Sequence, residues 1–125
     1  MAAKVSIKVD VDPEWIDFVT RYNDIFRQSY IGYWAYGVQV KGGWLVYEQA
    51  AHDRRPTELE IEDAAGAYES RQSLPEDWHL LDRDAAIRAW AEGVRRSGVD
   101  WYKNGDANDY DVAIQRALLG EVKYG

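Results

Sequence analysis

Apolar residues alternate over positions 4–11, with Val5, Ile7, Val9 and Val11 on one face, a pattern that predicts a half-buried strand. Asp12 and Pro13 then form a helix start, an acceptor side chain followed by a residue that has no N–H to satisfy. Trp15, Phe18, Val19, Tyr22, Ile25 and Phe26 recur at helical spacing, so one helix is expected from Pro13 to about Gln28. Positions 33–40 and 44–49 read as strands, joined through Lys41, Gly42 and Gly43 as a tight hairpin. Leu59 and Ile61 sit at period two, which predicts a short edge strand over 57–62, its acids discouraging edge pairing. Positions 63–75 carry no clear period, and Trp78 to Leu81 reads as one more short strand.

Two further helices follow. Asp82 or Asp84 caps one that runs to about Arg96, with Ile87, Trp90, Ala91 and Val94 as its stripe and Gly98 beyond its end. Asp106 to Asp109 offers capping groups for another, apolar at Val112, Ala113, Leu118 and Leu119, which Gly120 ends. The expected fold is α+β in one domain: a small, mostly antiparallel sheet built from the first strand and the hairpin, with about three helices packed on one side. The first and third helices are expected to form the core with that sheet, and Val122 and Tyr124 to be buried beside it.

Composition sharpens this outline. Among 125 residues there are six Trp and nine Tyr but only two Phe. Trp and Tyr combine apolar bulk with a polar end, so they suit surfaces that are dry at one side and wet at the other. Trp15 and Trp90 fall on helical stripes and read as core, whereas Tyr30, Tyr33, Trp34, Tyr36, Trp44 and Tyr47 crowd one stretch. In a strand Tyr33, Ala35 and Gly37 would face one way and Trp34, Tyr36 and Val38 the other. One face can be packing; the other is the expected binding surface, with Tyr33, Trp34, Tyr36, Trp44 and Tyr47 as its candidates.

Charge is just as uneven. The net charge is −7, and positions 57–84 hold nine acids against two bases, which accounts for the whole excess. Such a chain lacks the basic face that nonspecific duplex binding requires, so direct nucleic-acid binding is not expected. The plain reading is a solvated acidic face. Glu58, Glu60 and Glu62 are the residues that would instead imitate a nucleic-acid backbone toward a basic partner.

No catalytic constellation emerges. Without Cys there is no disulfide, thiolate zinc site or Cys nucleophile, and a reducing compartment such as the cytoplasm fits. No window approaches the roughly 18 apolar residues of a membrane span, and the start of the chain lacks the apolar run of a secretory signal. Asp100, Asn104, Gly105, Asp106 and Asp111 invite comparison with a calcium loop, but Tyr102 stands at the third ligand position and Asp111 at the twelfth, where a bidentate Glu belongs. Helix capping explains Asp106, Asn108 and Asp109 more simply, and neither a metal nor a cofactor is expected. His52 and His79 have no ligand spacing, and no Ser lies in a nucleophile-elbow context.

Two segments carry a resemblance. Ile31-Gly32-Tyr33-Trp34-Ala35, soon after a Trp-containing helix, and the ending Gly120-Glu121-Val122-Lys123-Tyr124-Gly125 are similar to motifs of small accessory proteins encoded by tailed phages and actinobacterial prophages. The helix containing Ala86, Ile87, Trp90 and Gly93 sits where such proteins carry a similar one, whereas the acidic middle is longer here. The resemblance implies a setting rather than a chemistry: a protein acting inside a bacterial cell on a host protein. Three functions stand beside each other. The first is a non-enzymatic protein binding a bacterial host protein, or a second copy of itself, through the aromatic stretch. The second is an acidic nucleic-acid mimic on a basic host factor. The third is a small hydrolase or nucleotide-binding enzyme using His52 or the acids from Asp106 to Asp111.

Overall fold

The computed structural model describes residues 10–22, 24–28 and 30–125. Their fold is α+β, with one three-stranded antiparallel sheet in the order β1 (Tyr36–Val40), β2 (Gly43–Tyr47), β3 (Trp78–Leu81). The helices are α1 (Pro13–Thr20), α2 (Asp24–Gln28), α3 (Gln49–His52), α4 (Glu58–Glu69), α5 (Arg83–Ser97), α6 (Trp101–Asn104) and α7 (Ala107–Leu119), with a 3-10 turn at Tyr30–Tyr33. Residues 4–9 of the expected first strand lie outside the described residues, and its last two, Asp10 and Val11, are not strand. The described sheet is therefore the hairpin plus β3.

Register divides the sheet into two faces. Tyr36 opposes Tyr47, which opposes Trp78, and Val38 opposes Leu45, which opposes Leu80. These side chains form one face, and α4 covers it with Ile61, Ala64, Ala65 and Tyr68. Trp44, Val46 and Leu81 form the other face and meet α1, α5 and α7, the three helices expected on one side. α4 is thus an addition to the expected layering.

Three of the helices are capped as the sequence implied. Asp12 accepts from the Glu14 N–H, Asp82 from Ala85 and Asp106 from Asn108 and Asp109. Gly98 and Gly120 follow α5 and α7 with φ of 88° and 78°. The expected edge strand over 57–62 is instead the first turns of α4. Thr57 accepts from the Glu60 N–H while the Glu60 side chain accepts from the Thr57 N–H, a reciprocal cap that satisfies two otherwise orphaned donors. The buried stripe then has helical spacing, and Leu59, which looked like strand core, is 66% exposed.

The expected helix over 13–28 is broken into two. The Thr20 hydroxyl donates back to the Ile16 carbonyl at 2.7 Å, and the helix ends at Arg21. Back-bonding of this kind loosens a helix end. Tyr22 falls in the break and is 54% exposed, off the stripe it was assigned to. Beyond it Ile25 is buried in the helix-side core, and Phe26 packs edge-on against Trp44 with centroids 5.0 Å apart.

All six tryptophans are buried. Trp15 is the centre: its indole N–H donates to the Ala86 carbonyl at 2.9 Å, and its ring meets Trp90, Trp101, Tyr102 and Tyr110. Aromatic pairs of this geometry contribute beyond their buried area. The indole N–H groups of Trp44, Trp90 and Trp101 are buried with no hydrogen-bond partner among the described residues, a cost set against that dense packing.

Candidate partner-binding trough

The 3-10 turn decides which aromatic of the 30–36 stretch meets solvent. It places neighbouring residues on opposite sides: Trp34 enters the core at 0% exposure, while Tyr33 stays 48% exposed. Strand geometry begins only at Tyr36, so the expected pairing of Trp34 with Tyr36 on one face does not occur. Trp34 joins the helix-side core and Tyr36 the α4 side. Trp44 and Tyr47 are also buried, at 7% and 1%. Tyr47 stacks on His52 with centroids 5.1 Å apart and packs against Trp78, so its ring serves the fold. Of the five aromatic candidates, Tyr33 and Tyr36 remain accessible to a partner.

Two buried acids organise the surroundings of Tyr33. Asp111, on α7, accepts from Trp34 Nε1 at 2.7 Å and from Gln115 Nε2 at 3.1 Å. Its burial pushes the carboxyl up from its ordinary value, while the Trp34 and Gln115 donors hold it back. Gln115 also ties down the tail: its Nε2 donates to the Tyr124 carbonyl at 2.8 Å, and its Oε1 accepts from the Lys123 and Tyr124 N–H groups. The Tyr33 hydroxyl donates to the same Tyr124 carbonyl at 2.7 Å, and the Tyr124 ring stacks on Trp34. Val122 is 42% exposed, so of the two tail residues expected to be buried only Tyr124 packs against the core.

Glu48 holds the other side of the tail. It is 4% exposed and accepts from Lys123 Nζ at 3.0 Å and from the Tyr124 hydroxyl at 2.7 Å, with His79 Nε2 at 2.7 Å. Burial pushes its carboxyl up, but the bonds from His79, Tyr124 and Lys123 outweigh burial and hold it below 4.5. A carboxyl that is more acidic in the folded chain stabilises the fold above the unfolded value, and that gain disappears as pH falls through the folded value. Glu48→Gln keeps the shape and removes the charge. It is expected to cost about 2 kcal/mol at neutral pH, less as pH drops below 4.5, in urea unfolding followed at several pH values. An equal cost at pH 3 and pH 7 would contradict the charged network.

Three solvent-open depressions meet along this surface. The first, about 580 Å³, lies among Phe26, Arg27, Tyr36, Trp44, Gln49 and Arg55. The second, about 270 Å³, shares Gln49 and Arg55 with it and extends to Arg54 and Tyr33. The third, about 420 Å³, shares Tyr33 and continues to Asp111, Val112, Val122 and Tyr124. The shared residues set the three side by side in one run, the trough, with Arg54 and Arg55 beside Asp53 in its middle and Asp111 at its far end. Arg55 lies over the Tyr36 ring at 5.8 Å, a cation–π contact that positions both.

The acidic candidates lie elsewhere, on α4. Glu58 and Glu62 are exposed beside Leu59 and Asp63. Glu60 is engaged: Arg54 donates to it at 2.6 Å and, with Thr57, holds its carboxyl down to about 2.

The structure gives the enzymatic candidates other roles. Asp106 and Asp109 form the reciprocal cap of α7. His52 pairs with Asp77 at 2.6 Å, and among the described residues no Ser or Thr hydroxyl is bonded to either imidazole–carboxylate pair; the one hydroxyl that reaches them, that of Tyr124, donates to Glu48. No group of three His, Asp or Glu among the described residues is arranged to hold a metal ion. No described helix is long and apolar enough to cross a membrane.

Sequence reasoning did not bring Asp111, Gln115, Glu48 and Tyr124 together: Asp111 stood only among the acids of the calcium-loop comparison, Tyr124 only as a buried tail residue, and Gln115 and Glu48 were not singled out. A signal for two of them was present: Asp111, Ile114, Gln115 and Leu118 share one helical stripe, so two polar residues occupy core positions. Polar groups buried in that way are expected to bond one another or the backbone, as they do here. Glu48 carried no comparable pattern. No known protein family, curated protein or solved structure matches this chain.

Proposed function

We propose that this chain is a non-enzymatic accessory protein of a phage or prophage that binds a bacterial host protein, in the host cytoplasm, through the trough from Tyr36 past Tyr33 to Tyr124. The phage setting rests on the resemblance of segments 31–35 and 120–125. The observation that carries the surface is Tyr33: it is half exposed, borders two of the joined depressions, and is held by its hydroxyl to the Tyr124 carbonyl. A fixed aromatic side chain with an accessible ring is the kind of residue that dominates interface energetics, because little freedom is lost on binding.

The test is capture from bacterial lysate on immobilised protein, comparing wild type with Tyr33→Ala and Tyr36→Ala. Both rings are partly outside the core, so thermal stability is expected to change little, while retention of a specific protein falls by at least about tenfold, as for an anchor residue. Identical retained proteins with all three forms would contradict the proposal. Recovery of the chain itself would replace the host partner with self-association.

A second reading, nucleic-acid mimicry toward a basic factor, has one observation in its favour. Glu58, Glu62 and Asp63 stand exposed around Leu59 on the outer side of α4. In the same capture experiment, loss of the partner with Glu58→Lys and Glu62→Lys, but not with Tyr33→Ala, would select it.

A further inference from the structure

Asp111 is 3% exposed, yet it borders the apolar depression between Tyr33 and Tyr124. Both of its hydrogen bonds, from Trp34 and Gln115, end on Oδ1. Among the described residues no donor is bonded to Oδ2, and no Lys, Arg or His pairs with the carboxylate. The nearby tail cation, Lys123, is committed to Glu48. A buried carboxylate with one free oxygen and no cation is unusual, because such charges are ordinarily paired.

We propose that this depression is a subsite for a lysine side chain of the partner, with the ammonium on Asp111 Oδ2 and the methylenes between Tyr33, Val112, Val122 and Tyr124. This deepens the proposed function and rests on its trough. The choice of lysine over arginine follows from the acceptor. A guanidinium gains most by bonding both carboxylate oxygens in a fork, and Oδ1 already carries two donors. An ammonium is a compact charge that bonds well to a single oxygen. Its three donors also leave it free to reach the exposed Asn108 beside the site. The apolar walls suit the four-carbon stem, which buries readily while its charged end finds a partner. Tyrosine rings add an electrostatic attraction for the cation itself.

The experiment is an NMR titration of the whole chain with N-acetyl-lysine methylamide. N-acetyl-norleucine methylamide, which keeps the stem without the charge, and N-acetyl-arginine methylamide are titrated in parallel. The lysine compound is expected to shift the amide signals of Asn108, Val112 and Val122 and to bind about tenfold or more tightly than either analogue, the scale of one hydrogen bond to a charged group. Asp111→Asn is expected to abolish that preference while retaining an acceptor for Trp34. Should this variant fail to fold, the ranking of the three compounds on the wild type still decides. Equal binding of the norleucine compound, preference for arginine, or no shift at these residues overturns the subsite. Loss of the subsite alone leaves the trough proposal standing if Tyr33→Ala still releases the partner. Lysine selectivity with unchanged capture by Tyr33→Ala would overturn the trough as the docking surface.

Discussion

Replacing Trp34 by alanine is expected to be the most damaging single substitution, lowering stability by about 3–5 kcal/mol, the usual range for truncating a buried tryptophan. In a domain of this size the midpoint of thermal unfolding would fall by roughly 10–20 °C. The indole is fully buried, stacks on Tyr124 at 5.5 Å and donates to Asp111. Its removal therefore opens a cavity and takes one of two donors from a buried carboxylate. Trp34→Phe separates these effects, since most of the ring remains and the N–H is lost. The hydrogen bond favours ionised Asp111, so its loss raises the folded pKa of that carboxyl further. The gap between wild type and Trp34→Phe is then full above both folded values and shrinks as pH falls below them. Chemical denaturation between pH 3 and pH 7 measures it; a gap that grew toward low pH would show that the bond to the charged form is not what Trp34 supplies.

Gly93→Ala is the second large effect, and its sign runs against helix propensity. Alanine inside a helix is ordinarily favoured over glycine by about 1 kcal/mol. A Cβ at position 93, however, would stand 2.1 Å from Cδ2 and 2.2 Å from Cε2 of Trp101. That indole cannot retreat easily: it is 2% exposed and wedged edge-on against Trp15 at 4.9 Å and Trp90 at 5.5 Å. A net loss of about 1–3 kcal/mol is expected, as for an overpacked core. Gly66 supplies the internal comparison. It lies in α4, and a Cβ there would meet nothing within 4 Å, so Gly66→Ala is expected to stabilise by about 0.5–1 kcal/mol. Equal effects at the two positions in urea unfolding would mean that Trp101 does not pack on α5 as described.

How far the sequence was legible depended on whether the signal was local. α5 and α7 start and stop where Asp82, Asp106, Gly98 and Gly120 imply, because caps are made by side chains within a few residues of the backbone they satisfy. The hairpin and Trp78–Leu81 were legible for the same reason, through period two and a glycine at positive φ. The 57–62 segment was misread because two alternating apolar residues outweighed a capping pattern that was present, Thr57 followed three positions later by Glu60. The break after α1 was hidden: apolar spacing continues through it, and the Thr20 back-bond that accompanies it is not a pattern of apolar residues.

The candidate site was less legible than the fold. Tyr33 and Trp34 differ little as sequence signals, yet one is half exposed and the other is fully enclosed. Their separation depends on a four-residue 3-10 turn and on α7 lying behind it with Asp111 ready to accept the indole N–H. Glu48, Lys123 and Tyr124 meet across about 75 positions of chain, and no period connects them.

By itself, then, the sequence determined the α+β class, the hairpin, the capped helices of the second half and the concentration of acid between 57 and 84. All of these follow from propensity, capping and charge within a few residues. The tertiary structure alone decided that Trp34 and Trp44 are core as well, that α4 covers the second face of the sheet, and that Tyr33, Asp111 and the tail come together. Burial is a property of what packs against a residue, and for these residues the packing partners are far away along the chain.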